Sequence, residues 1–320
     1  MPKHSCDSGN ARLLLLVSSL LLLTAGCATP QYALHETPMP EESESALQIE
    51  RAISAQQAKE FDEQDARLVG RDEVLRGFEI QQIVDRLSRV TERPGLHYRT
   101  YLYQDNDPNA AALADGRIYL SSGLVQYLAS RGSRPDELAF VLGHELAHTV
   151  AQHLVKRYRM LQQQQLLMTI VSVGAAVATR DATPGAQQAG RRVLDIASLL
   201  QDVANSGYSQ EQELEADQLG IQYVIRAGFD PRSALELLED FARFDTPTAI
   251  LRTHPYITTR REYLQRYLLE TGRMGEQPNM SEPERDVRLR QLRALLELYP
   301  AGSVSRANLQ RQIDALEHTQ

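Results

Sequence analysis

The chain has 320 residues, 42% hydrophobic and 24% charged, a mix that suits one substantial globular domain with appendages and excludes a wholly disordered or fibrous chain. Its formal net charge is −8 and its basic residues are scattered among acids, so there is no cationic field for phosphates. Composition therefore argues against nucleic acid as a partner.

In chain order, Lys3 and Arg12 accompany an apolar run, LLLLVSSLLLL, from Leu13 to Leu23. The run suits the core of a signal peptide and is too short to span a bilayer. Thr24-Ala25-Gly26-Cys27 follows and resembles the bacterial lipobox, in which cleavage leaves the cysteine as a lipidated first residue. The same run also fits an ordinary cleaved secretory signal. Ala28, where that pattern has aspartate for the inner membrane, implies the outer membrane. Residues 1–26 are thus expected to be a leader and Cys27 a lipid anchor on the periplasmic face of the outer membrane. With Cys6 in the leader and Cys27 lipidated, no cysteine pair remains for a disulfide.

Residues 27–70 begin Pro- and acid-rich, as a tether, and continue into a polar peripheral helix predicted from Ala46 to Val69. Val74, Leu75, Phe78, Ile83, Val84, Leu87 and Val90 recur at helical spacing, predicting a helix from Arg71 that Pro94-Gly95 stops. Leu96 to Gln104 favours a strand, and AAALA and RIYLS flank Asp115-Gly116 as a hairpin. Ser133 offers an N-cap, with Pro135, Asp136 and Glu137 in the first turn of a helix of about six turns. Leu166 to Thr179 is the other strongly apolar run, short for a span, and reads as a buried or membrane-touching hairpin. Helices are predicted at Arg191 to Val203, Gln210 to Ala227 and Asp230 to Phe244, with a terminal pair at Ser281 to Leu298 and Ser303 to His318. The fold class is α+β and mainly helical, with a main domain over 71–275 and a C-terminal helical pair over 276–320.

The capped helix carries GHELAHTVAQH, Gly143 to His153. His144 and His148 lie four apart, about 40° in azimuth and about 6 Å along the axis, so both imidazoles can converge on one ion. Glu145 lies one residue round, where it can reach a metal-activated water without ligating. The alternative is a pair of core histidines satisfied by backbone carbonyls. His153, five residues past His148, points to the far side of a continuous helix and reads as structural or surface. A catalytic zinc takes three protein ligands, so a third must come from elsewhere. Glu213 and Asp217 are i, i+4 in Glu211-Gln212-Glu213-Leu214-Glu215-Ala216-Asp217. That spacing permits Glu213 to ligate while Asp217 accepts a ligand's other ring N–H. Glu211 and Glu215 sit on another face, and a solvated acidic face is the alternative for the whole cluster.

HELAH, followed some sixty residues later by ELEAD and Leu219-Gly220, resembles the zinc metalloendopeptidases related to CAAX prenyl proteases and HtpX, especially their periplasmic members. The resemblance covers about Arg71 to Glu270. It implies a zincin-like (gluzincin) domain with Zn2+ on His144, His148 and Glu213 and with Glu145 as the base. The strand pair before the active-site helix also resembles the family, departing at Asp115, where a second glycine is more usual. His254, in Thr253-His254-Pro255, reads alone as a loop residue. By resemblance it is a fourth, inhibitory ligand or a transition-state contact. The implied activity is peptide-bond hydrolysis, with misfolded or unassembled envelope proteins as substrates that add a strand near Ile118 to Ser121. The rivals are a zinc-blocked assembly factor or chaperone and a peptidoglycan-binding lipoprotein.

Overall fold

The computed structural model describes residues 34–178, 207–244, 248–275 and 282–298, with single positions between 306 and 317. The leader, Cys27, the helix expected at Arg191 to Val203 and most of the second terminal helix lie outside the described residues.

Helix α1, Glu44–Asp62, starts where the Ser43 side chain accepts from the Ala46 N–H. Strand β1, Arg67–Leu68, follows it. Helix α2 covers only Ile80–Ser88, because residues 75–78 form a tight hairpin instead of a helical turn. Arg76 and Gly77 both have positive φ, 50° and 88°, the conformation of a two-residue turn, and Leu75 and Phe78 exchange backbone hydrogen bonds across it. The apolar spacing over 71–79 therefore belongs to a turn, and the predicted helix loses its first half.

Strands β2, Arg99–Tyr103, β3, Ala110–Ala112, and β4, Arg117–Ser121, complete a four-stranded sheet of order β1-β2-β4-β3. β2 and β4 are parallel, and β3 and β4 form the expected antiparallel hairpin with Ala111 opposite Tyr119. Gly116 takes φ 93° in its turn. Asp115 ion-pairs with Arg117, and its N–H donates to Ser54 of α1, so the departure from glycine there is accommodated. Alternation divides the sheet: Leu102, Ile118 and Leu120 enter the main core, whereas Tyr103 and Tyr119 pack against Ala58 and Phe61 of α1. β4 is paired on both sides. The edges of the sheet are β1 and β3, which corrects the expectation of an exposed edge at Ile118 to Ser121.

Helix α3, Ser122–Ser130, is capped by Ser121. Helix α4, Pro135–Val150, has Pro135 at its start and Asp136 and Glu137 in its first turn, but its N-cap is Arg134 without a side-chain bond. Ser133 has φ 51° and gives its hydroxyl proton to the Arg76 carbonyl, so it leaves the extended geometry a cap requires. α4 is shorter than the expected six turns because Gln152, at φ 53°, breaks it. Every residue of α4 from Glu137 to Val150 is buried, which makes it the central helix.

Helix α5, His153–Ala178, then runs without interruption through the apolar stretch, so no hairpin forms over 166–178. That stretch has only Gly174 and no proline to break a helix, and Leu166 and Leu167 are exposed. Among the described residues no helix is long and apolar enough to cross a membrane. Helix α6, Gln210–Arg226, opens on a full capping box between Ser209 and Gln212. Helix α7, Arg232–Phe241, packs on α4, and after the short helix α8, Ala249–Thr253, helix α9, Ile257–Glu270, packs on α6 and α7. Helix α10, Glu282–Leu298, buries Leu292 against Ile313. The architecture is mainly helical with a small mixed sheet, as the sequence predicts.

Candidate metal centre

α4 and α6 touch through glycine. A Cβ on Gly220 would lie 2.8 Å from the His144 nitrogen, and one on Gly143 would lie 2.9 Å from the Gly220 carbonyl oxygen. Only backbone-to-backbone contact brings the helix of His144 and His148 within one side chain of Glu213, two turns before Gly220.

Four buried side chains converge there: His144, His148, Glu213 and His254, each offering a ligand atom within 4.8 Å of the others. His144 Nε2 is 3.0 Å from His148 Nε2, 3.2 Å from His254 Nδ1 and 3.5 Å from Glu213 Oε2. Glu213 Oε1 is 3.5 Å from His148 Nε2 and 3.2 Å from His254 Nδ1. A tetrahedral ion with bonds of about 2.0–2.1 Å has ligand atoms about 3.3–3.4 Å apart, so this set fits one divalent metal. The polar bookkeeping agrees, because Glu213 Oε2 is buried with no hydrogen-bond donor. Arg260 Nη1 approaches that oxygen at 2.8 Å as an ion pair but without hydrogen-bond alignment.

The surrounding layer fixes these side chains. His144 Nδ1 is 2.9 Å from Asp217 Oδ1, the pairing the i, i+4 spacing allows. Arg260, on α9, clasps Asp217 through Nε and Nη2, each at 2.7 Å, and its Nη1 donates to the His254 carbonyl at 3.3 Å. Burial, and then the Arg260 charge, oppose a proton on His144, yet Asp217 and Glu213 outweigh both and its pKa is pushed up to about 9. Burial and the neighbouring His144 push His148 well down. Burial also opposes ionisation of Glu213, but the Arg260 and His254 charges overcome it and hold the carboxyl well below its usual range. The Tyr208 ring stacks on His148, with centroids 3.7 Å apart.

Glu145 lies beside this set. Its Oε2 accepts the Ala112 N–H of β3 at 2.7 Å, and its Oε1 is 3.3 Å from His254 Nε2. Ser121 N–H bonds the Asn109 carbonyl and Leu113 N–H bonds that of Arg117, so Ala110 and Ala112 turn their own main-chain groups outward. The outer edge of β3, buried at Ala110 and Ala112, thus runs past Glu145, which takes its Ala112 N–H.

His153 is not on the far side of the helix. The break at Gln152 turns it back until its Nδ1 is 2.7 Å from His148 Nδ1, fully buried, while its Nε2 is 3.1 Å from Glu215. Glu215 is accordingly no solvated bystander. Arg260 is the residue that sequence reasoning missed. It stands in a polar stretch with no motif, and its only sequence signal is its position six residues after His254.

A buried His-His-Glu set on two crossing helices, with a second glutamate beside an edge strand, defines the zincin-like metallopeptidase class. The model of peptidase family M48 matches residues 75–268, which is more than half of the chain and holds the whole cluster. The chain belongs to peptidase family M48. It is 34% identical over 169 residues to the beta-barrel assembly-enhancing protease of Yersinia pestis, covering 51% of this chain and 33% of that protein. The protein of that name from Escherichia coli K12 is 33% identical over 171 residues, again 51% of this chain and 33% of the relative. The mitochondrial metalloendopeptidase OMA1 of Schizosaccharomyces pombe is 25% identical over 195 residues, 60% and 52% of the two chains. The match thus spans about a third of the length of the bacterial relatives.

Proposed function

We propose that the protein is a zinc metalloendopeptidase of the bacterial cell envelope, with His144, His148 and Glu213 holding the metal and Asp217 orienting His144. The observation that carries this reading is the convergence of those three side chains, with ligand atoms 3.0–3.5 Å apart. Bound there, zinc supplies a Lewis acid that polarises the scissile carbonyl and acidifies water toward neutral pH. Glu145 takes the water proton on Oε1 and delivers it to the leaving amine, while the Ala112 N–H pins Oε2. An extended substrate pairs with β3 through the main-chain groups of Ala110 and the Ala112 carbonyl, the Ala112 N–H being held by Glu145, and such bonds read backbone more than side chains. Such recognition suits misfolded or unassembled outer-membrane proteins, in keeping with the names of the bacterial relatives. The lipidated Cys27, the tether and helix of 27–70, the peptidase domain of 71–275 and the helical pair of 276–320 complete this reading, placed near the CAAX protease and HtpX branch.

A second reading has His254 closing the centre, so that the protein assists assembly with little proteolysis. His254 Nδ1 at 3.2 Å from both His144 and Glu213 supports it. Casein cleavage, with zinc quantified in the same samples, separates the two. Zinc in both the native protein and Glu145→Gln, with cleavage by the native protein alone, is expected for the peptidase. Zinc in both and cleavage in neither favours the closed centre.

A further inference from the structure

We infer that His153 and Glu215 are positioning residues for His148, forming a one-way hydrogen-bond chain that presents its Nε2 to the metal. The inference rests on the ligand set proposed above.

His148 turns Nε2 toward His144 at 3.0 Å and Nδ1 toward His153 Nδ1 at 2.7 Å. A ligating Nε2 needs its lone pair, so the ring proton of His148 sits on Nδ1 and donates to His153. His153 then keeps its own proton on Nε2, which donates to Glu215 Oε2 at 3.1 Å. Each link has one donor and one acceptor. His144 meets its carboxylate, Asp217, directly, whereas His148 reaches one through a second imidazole.

The backbone is built for this contact. Five residues along a continuous helix would place His153 about 140° away from His148. Instead α4 ends at Val150, Gln152 takes φ 53° and α5 begins at His153 itself. The left-handed residue is clamped: the Gln152 side chain accepts the Glu41 N–H at 2.7 Å and donates to the Glu41 carbonyl at 2.9 Å and to Glu50 at 2.8 Å. Glu215, two residues past Glu213, lies about 200° round α6. One helix thereby carries a ligand on one face and the support of another ligand on a second face.

The test measures zinc affinity of the full-length chain by competition with a chelating dye at fixed pH, beside thermal melts of the metal-free proteins. His153→Phe keeps the ring shape and removes both nitrogens. His153→Asn keeps an acceptor where Nδ1 stands. Glu215→Leu removes the far end of the chain at a partly exposed site. The Phe variant is expected to bind zinc about 10- to 100-fold more weakly, the usual loss for an outer partner, and Glu215→Leu about 10-fold. Asn is expected to stay within about threefold of native, although it packs no better than Phe. Native zinc affinity in His153→Phe with an unchanged melt overturns the inference, as does affinity that falls equally in Asn and Phe and only in step with their melts. If Phe does not fold, the contrast between Asn and Glu215→Leu decides. A native protein that binds no zinc would instead fail the ligand set itself.

Discussion

Arg260→Leu tests how the charge of the centre is balanced. Arg260 is 3% exposed, and its guanidinium spans two carboxylates that are themselves buried, Asp217 at 2.7 Å twice and Glu213 at 2.8 Å. Burial opposes ionisation of Asp217, yet Arg260 outweighs it and holds the carboxyl below its usual range. Leucine fills part of the space and leaves two buried negative charges sharing one lost partner. Removing one member of a buried ion pair costs about 3–5 kcal/mol, without the solvent discount of a surface pair. At about 2–4 °C per kcal/mol for a domain of this size, Tm falls by about 6–20 °C. Zinc held at the proposed centre would give Glu213 another positive neighbour, so adding zinc should raise the Tm of the variant more than that of the native protein. Arg260→Lys should recover only part of the loss, because an ammonium cannot span both Asp217 oxygens and Glu213 at once. Circular-dichroism melts in EDTA and in zinc read all of this. A leucine variant melting within about 2 °C of native in EDTA would refute the charge-balance argument.

Other outcomes follow from the same geometry. Glu213→Gln should lower zinc content measured by atomic absorption, and unchanged stoichiometric zinc would require another third ligand. Gly220→Ala drives a methyl into the His144 backbone, so it should cost about 1–3 kcal/mol in denaturant melts and reduce zinc content as α6 moves off α4. Native stability and zinc in that variant would contradict the close crossing. His254→Ala should raise casein cleavage or leave it intact if the ring blocks the centre. A loss of about 100-fold would make it a participant in the chemistry.

What the sequence displays best is chemistry at helical spacing, because i, i+4 geometry is local: His144 with His148, and Glu213 with Asp217, need no tertiary knowledge to be paired. The Asp115-Gly116 hairpin is legible for the same reason. What it conceals depends on single backbone torsions or on distant partners. Positive φ at Gln152 redirects His153 and joins it to Glu215, and positive φ at Arg76 and Gly77 turns an apolar helical pattern into a hairpin. Sheet order is a long-range property, so the sequence points to an edge at β4, whereas the edges are β1 and β3. Arg260 on α9 has meaning only once α9 is packed against α6.

The most direct test of the central claim is an anomalous difference map at the zinc edge from crystals of the zinc-loaded protein. The account predicts one strong peak about 2.0–2.2 Å from His144 Nε2, His148 Nε2 and a Glu213 oxygen. A peak held by other residues, or none at this cluster, would contradict it.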